Sequence, residues 1–286
     1  MVGSIQTSFW LCLLSLGSGR GTFAFVVHST TNSVYRQRTL LQVSELHIPG
    51  YAQSKIPFEL LDSDLEEDNW GTKTIVQLKE QRFCSDDFES LLPFQHGHLL
   101  HKSTRQVLTS EECRRIVQEA ETVAADLGWT TKRHGNYPTT DIPIVELPET
   151  LQFMRRALAE RIYPLLRTQF GCFLPDPSKL KVADGFIVKY DAEGGQTELK
   201  PHRDGSVISF NIALNPAADF DGGGTWFNSL NDAVRINEGE IVTHASAILH
   251  GGHGITRGKR YILVAFVILE GYDSWSMRFY NKVRNE

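Results

Sequence analysis

His202 and Asp204 stand two residues apart in the stretch LKPHRDGSVISFNIALN, which runs from Leu199 to Asn215. In an extended segment alternate side chains share a face, so this imidazole and this carboxylate point the same way. Together they are two ligands for a hard or borderline divalent metal. The pair alone is a weak signal in a chain with ten histidines, where a hydrogen-bonded His–Asp pair is the commoner outcome. The apolar run that follows, Ser206–Leu214, reads as a buried strand, which puts the polar pair at its lip.

A later stretch, GEIVTHASAILHGGHGITRGKRYILVAFVIL, strengthens the signal. It reads as a strand ending at His250, a glycine-rich turn, and a strand beginning at Arg260. An antiparallel hairpin of that kind would bring His250 and Arg260 close together on neighbouring strands. His250 supplies a second imidazole, and two histidines with one carboxylate form the facial triad of non-haem Fe(II) oxygenases, with three coordination positions left open. Arg260 then has a task. A keto acid that chelates the iron carries a second carboxylate at its far end, and a guanidinium binds that group bidentately. His253 and His244 compete with His250 for the distal position. His253 falls inside the turn, seven residues before Arg260. His244 has the same strand parity as His250. The spacing favours His250.

These residues need a frame. Between Leu180 and Leu269 the sequence predicts strands over Leu180–Tyr190, Ser206–Leu214, Gly224–Asn228, Ile241–Leu249 and Tyr261–Leu269, separated by Gly, Asn and Asp turns. Two helices precede them. Thr109 followed by Glu112 is a capping-box pattern, and Ile116, Ala120 and Leu127 carry helical spacing until Gly128. The second helix spans Glu149–Gln169, with a kink expected at Pro164. Short strands after two helices predict an α+β, mainly β fold: a jelly roll with the helices packed on one sheet. His134 and Asp141, between the helices, read as parts of a structured loop.

Composition bounds the rest. The chain has 286 residues, 41% hydrophobic and 22% charged, which fits one catalytic-sized globular domain with appendages. A net charge of −5 without a basic block argues against nucleic acid as a partner. The four cysteines, Cys12, Cys84, Cys113 and Cys172, have neither zinc-site nor disulfide-framework spacing. Residues 1–24 look like a signal segment: Ser8–Leu16 is apolar but too short to span a bilayer, and Thr22 and Ala24 suit a cleavage site. A signal-anchor is the alternative. Residues 25–45 contain no acid before Glu45, a transit-peptide composition, so entry to the endoplasmic reticulum lumen and a two-part plastid route both stay open. Residues 46–104, with six acids between Glu59 and Asp68, read as a poorly ordered linker in which His96, His98 and His101 are loop residues. The catalytic domain is expected over 105–272, its jelly-roll core over about 180–270, and a tail over 273–286.

Taken together, the run Y…H-x-D…LN…GGGTWF…LHGGH…GKRYIL, from about Val182 to Leu269, resembles the prolyl 4-hydroxylase type of the 2-oxoglutarate- and Fe(II)-dependent dioxygenases. The resemblance implies a double-stranded β-helix core, with His202, Asp204 and His250 as iron ligands and Arg260 as the 2-oxoglutarate anchor. It implies Tyr190 beside the co-substrate and, more weakly, Thr225. It also implies O2 as co-substrate, succinate and CO2 as products, and ascorbate as reductant. The substrate it implies is a prolyl or lysyl residue of a protein, with a small metabolite as the alternative. Collagen-type prolyl enzymes carry lysine at the anchor position, so Arg260 departs from that branch. The competing reading is an inactive jelly roll that only binds a ligand.

Overall fold

The computed structural model describes residues 87–92 and 99–285. The expectations for segments 1–24 and 25–45, and for His96 and His98, fall outside the described residues.

Among the described residues every strand pairs antiparallel, in two sheets. The strands are β1 (Phe88–Ser90), β2 (Leu100–Ser103), β3 (Asp141–Pro143), β4 (Leu180–Asp191), β5 (Leu199–His202), β6 (Ile208–Ala213), β7 (Phe220–Gly222), β8 (Thr225–Phe227), β9 (Asp232–Val234), β10 (Ile241–Ala245), β11 (His250–Gly252) and β12 (Ile255–Leu269). The large sheet runs β1-β2-β10-β6-β12-β4-β3, with β7 also beside β12, and the small sheet runs β5-β11-β8-β9. The chain shuttles between them: β4 large, β5 small, β6 large, β8 and β9 small, β10 large, β11 small, β12 large. That path is a double-stranded β-helix, the jelly roll expected from the strand pattern.

The helices before the jelly roll cover one face of the large sheet, and the C-terminal helix packs Phe279 against the clusters on both faces. The helices are α1 (Ser110–Leu127), α2 (Pro148–Ala157), α3 (Tyr163–Phe170) and α4 (Asp273–Asn285). Side chains alternate along β12. Leu263, Ala265, Val267 and Leu269 pack with Ile116, Phe153, Met154 and Leu165 of the helical layer. Ile262 and Phe266 point the other way and cluster with Phe186, Val188 and Tyr190. That inward face is where a site must lie.

Local chemistry explains the helix limits. Thr109 and Glu112 form the capping box: the Thr109 amide donates to Glu112 Oε2 at 2.8 Å, and the Glu112 amide donates to Thr109 Oγ1 at 3.3 Å. Gly128 ends α1 at φ 78°. The expected second helix is divided. A π-helical stretch, Leu158–Ile162, separates α2 from α3 just before Pro164. Proline cannot donate its amide and its ring crowds the preceding turn, so the widened turn absorbs it. Glu112 also accepts from Arg161 Nη1 and Nη2 at 2.8 and 2.9 Å, a buried pair that ties this stretch to α1.

Three expectations are corrected. Ordered structure begins before Arg105: β1 and β2 fall within the supposed linker, and β2 pairs with β10. His101 is 1% exposed on β2, with its ring against Phe88 and Phe170, not in a loop. The missed signal was short, because β2 buries His101 and Ser103 as well as Leu100. The segment 273–286, expected only as a tail, forms α4. Finally, Ile241–Leu249 is not one strand leading into a hairpin. β10 ends at Ala245, a turn closes from Ile248 N to Ala245 O at 3.0 Å, and the chain crosses to the small sheet as β11. His250 and Arg260 therefore sit in opposite sheets. The strand neighbour of Arg260 is Tyr190.

Candidate metal centre

His202 is the last residue of β5 and pairs in register with His250, the first of β11. Their ring centroids are 4.5 Å apart. Asp204 lies in the link from β5 to β6, fastened by its amide to Ser246 O at 3.0 Å. Asp204 Oδ1 is 3.3 Å from His202 Nε2, and Oδ2 is 3.4 Å from His250 Nε2. One ligand atom from each of the three residues lies within 4.8 Å of the others, a span that one metal ion can bridge.

The surrounding bonds orient these donors. His202 Nδ1 is 2.9 Å from Lys200 O, and His250 Nδ1 is 2.9 Å from Ile248 O. A carbonyl only accepts, so each Nδ1 carries the proton and each Nε2 presents its lone pair to the centre. Ser209 Oγ donates to Asp204 Oδ2 at 2.6 Å and meets Ser246 Oγ at 2.8 Å, which in turn meets Ser206 Oγ at 2.6 Å. Tyr137 lies over His202 with 5.0 Å between ring centroids.

The electrostatics suit a cation. Burial opposes a charge on Asp204, but the two imidazoles outweigh it and hold its carboxyl well below the usual range. For His202, burial opposes protonation and Asp204 outweighs it, so its pKa is raised. A buried carboxylate facing two imidazole nitrogens is a site that a divalent metal can satisfy directly.

The other candidates fall into place around this centre. His244 is fully buried with its ring 4.2 Å from that of His250, and burial pushes its pKa down to about 3, so it stays neutral. It lies against a donor of the cluster and is not part of it. His253 is exposed beyond β11. Tyr190 is 2% exposed, and the Arg260 guanidinium carbon lies 5.2 Å from its ring centroid. A side chain at Gly252 would collide with the Tyr190 hydroxyl, so β11 can approach β4 here only as glycine. Arg260 is 3% exposed, and its Nη1 is buried with no hydrogen-bond partner. Thr225 faces the interior and accepts from Asn211 Nδ2 at 2.9 Å across the roll. The cavity of about 260 Å³ beside Arg260 opens toward Phe220, Gly224 and Arg235 and is not lined by the three metal-ligand candidates.

Two features escaped the sequence reading. β5 is too short and polar to show a strand pattern, so spacing alone puts His202 at the lip of β6, whereas it ends a strand of the other sheet. The serine network was visible in principle. Ser209 and Asn211 alternate with Ile208, Phe210 and Ile212, and polar residues at every second position of an otherwise apolar strand mark a face turned toward a site.

No family model matches the chain. Curated relatives do. Mouse procollagen-lysine,2-oxoglutarate 5-dioxygenase 1 is 31% identical over 258 residues, 82% of this chain and 33% of the relative. The human protein of that name is 33% identical over 144 residues, 46% of this chain and 18% of the relative. The rat multifunctional procollagen lysine hydroxylase and glycosyltransferase LH3 is 29% identical over 180 residues, 56% of this chain and 22% of the relative. The chain thus spans about a third or less of their length. Among solved structures, a collagen prolyl hydroxylase of Paramecium Bursaria Chlorella virus-1 covers 59% of this chain and 95% of its own at TM-score 0.43 and 15% identity. A Pseudomonas putida prolyl-4-hydroxylase covers 61% and 94% at TM-score 0.44 and 14% identity. The sequence relatives, with the His202–Asp204–His250 cluster at the matching chemistry, place the chain in the superfamily of 2-oxoglutarate- and Fe(II)-dependent dioxygenases.

Proposed function

We propose that the protein is an Fe(II)- and 2-oxoglutarate-dependent dioxygenase that hydroxylates a C–H bond in a prolyl or lysyl side chain of a protein. The observation that carries this is the pairing of two features within one roll. Three donor atoms lie within 4.8 Å of one another, and an inward arginine leaves Nη1 buried and without a hydrogen-bond partner.

His202, Asp204 and His250 would hold the iron. When bound, the iron with 2-oxoglutarate supplies O2 activation coupled to release of succinate and CO2. The chain's own residues do the rest. The Lys200 and Ile248 carbonyls fix the two imidazoles, and Ser209 fixes the carboxylate. Arg260, with Tyr190 against it, would take the distal carboxylate of 2-oxoglutarate through a charge-assisted bond of about 1.5–3 kcal/mol. The buried surroundings of the triad exclude water from the reacting atoms. Ascorbate would restore Fe(II) after turnover that is not coupled to substrate.

A side chain of a protein is favoured over a small metabolite because the sequence relatives act on procollagen lysine. The apolar Ser8–Leu16 segment supports entry into the secretory pathway. Among the described residues no helix is long and apolar enough to cross a membrane. The test is 2-oxoglutarate turnover by the full chain with lysyl and prolyl peptides, with mass spectrometry following a gain of one oxygen. Turnover stimulated by one peptide class, with oxygen on that residue, supports the reading. No 2-oxoglutarate consumption under any condition contradicts it.

A further inference from the structure

Beside the triad lies a second polar cluster that the proposed mechanism does not use. Arg133 bridges two buried carboxylates: Nη1 donates to Asp141 Oδ1 at 2.6 Å, and Nη2 donates to Asp184 Oδ2 at 2.8 Å. Asp141 is 0% exposed and Asp184 is 2% exposed. Thr139 donates its hydroxyl to Asp141. His134 stands against the pair with a side chain 9% exposed. Its Nε2 is 3.5 Å from Asp141 Oδ2 and has no hydrogen-bond partner.

Register puts this cluster at the level of the triad. Ser209, which donates to Asp204, pairs with Phe266, and Phe266 pairs with Asp184. Directly paired residues project to the same side of a sheet, so Asp184 faces the interior as Ser209 does. Two strand spacings of about 4.8 Å separate them, or about 10 Å. The surface between is aromatic: Phe266 and Phe186 meet at 5.5 Å between centroids, and Arg133 lies 5.1 Å over Phe186. These two rings thus lie between the strand level of Ser209 and the polar cluster.

The charge in that cluster does not balance. There are two carboxylates and one guanidinium, and burial beside Arg133 holds His134 neutral, with a pKa of about 4. Burial pushes the Asp184 carboxyl up to about 7, and Arg133 opposes that shift without cancelling it. Fastening the 130–140 loop to the roll requires only one carboxylate opposite Arg133. The two buried carboxylates instead share a single guanidinium, and the His134 Nε2 beside them has no hydrogen-bond partner.

We propose that Asp184 and Asp141, with His134 as an additional polar contact, form the specificity wall that receives the ammonium of a lysyl substrate while its methylene chain lies over Phe266 and Phe186. A lysyl side chain has both required parts, an apolar stem and a cationic head. The head supplies a second positive charge for two carboxylates that share one guanidinium, and a charge-assisted bond to a buried carboxylate discriminates against a neutral analogue that cannot make it. This assignment rests on the dioxygenase reading and selects within it.

The test uses the full chain loaded with Fe(II) and 2-oxoglutarate, and three peptides identical except for lysine, norleucine or proline at the target. Oxygen incorporation and succinate are both measured. Wild type is expected to favour lysine over norleucine by roughly tenfold or more in kcat/KM, mainly through KM. Asp184→Asn is expected to bring that ratio close to one, and Asp184→Glu to restore part of it. The ratio is read within each protein, so a general loss of activity does not imitate the effect. An Asp184→Asn protein that keeps the wild-type ratio overturns the assignment. If that variant does not fold, the wild-type ratio decides, and equal use of lysine and norleucine overturns it. Wild type that forms succinate but hydroxylates only prolyl peptides overturns the lysyl wall and leaves the dioxygenase reading standing. Absence of all succinate overturns the latter.

Discussion

Tyr190 and Arg260 face each other in direct register on β4 and β12, with the guanidinium carbon 5.2 Å from the phenol ring centroid. Burial opposes the charge on Arg260, and Tyr190 offsets that only in part, so its pKa is lowered. A fully desolvated cation with one free donor atom is costly unless an anion joins it. The proposed carboxylate of 2-oxoglutarate would offset that cost by joining the free Nη1 of Arg260.

Arg260→Ala is therefore expected to raise the apparent KM for 2-oxoglutarate by about tenfold or more, with Fe(II) affinity in the absence of 2-oxoglutarate nearly unchanged. Arg260→Lys should fall between, because lysine keeps the charge and loses the planar fork. The thermal shift that 2-oxoglutarate gives the wild type should vanish in Arg260→Ala. Steady-state kinetics and melting curves with and without 2-oxoglutarate check this. An unchanged 2-oxoglutarate requirement in a folded Arg260→Ala protein would contradict the anchor role.

Arg161 is 0% exposed and makes three bonds, two to Glu112 and one to Val107 O at 3.1 Å. Removing one member strands the other as a buried charge. Arg161→Met is expected to lower stability by about 3–5 kcal/mol, and Arg161→Met with Glu112→Gln to recover part of that loss. Chemical denaturation of the two variants checks this. Equal losses in both would mean that packing, not charge, dominates at this point.

Asp184 gives a pH signature in the metal-free protein. Burial raises its folded pKa from 3.8 to about 7. Between those values the native state holds a proton that the unfolded chain has released, so this group's contribution to stability falls as pH rises. His134 and His244, lowered from 6.5 to about 4 and about 3, act with the opposite sign, gaining as pH rises toward 6.5. Asp184→Asn removes only the first effect. Its stability relative to wild type should improve by a few kcal/mol from pH 4 to pH 7.5, because each tenfold change in proton affinity is worth about 1.4 kcal/mol. Urea titrations across that range check it, and a pH-independent difference would contradict the buried, undercompensated carboxylate.

The chemistry was more legible in the sequence than its geometry. His202, Asp204 and His250 were legible as candidates because the His-x-Asp pair is followed by a second histidine ten residues before an arginine, each at the edge of an apolar run. The strand that carries His202 was missed because β5 has four residues, two of them exposed, and so has no alternation to read. The supposed hairpin failed for a related reason. Ile241–Leu249 is apolar throughout, and nothing in its composition marks Ser246–Leu249 as the crossing between sheets. Arg133, Asp141 and Asp184 are 51 positions apart at the extremes, and no local spacing joins them. Only the pairing of β3 with β4 brings Asp141 to the wall that Asp184 occupies.

The central claim is that His202, Asp204 and His250 hold Fe(II) in a form that accepts 2-oxoglutarate. The most direct measurement is anaerobic titration of the full chain with Fe(II) and then 2-oxoglutarate, following the visible charge-transfer absorption of the chelate, and succinate after O2 is admitted. Wild type and His253→Ala are expected to develop the absorption and form succinate, and His202→Ala and His250→Ala to do neither. Absorption and succinate that survive in His250→Ala but are lost in His253→Ala would contradict the assignment.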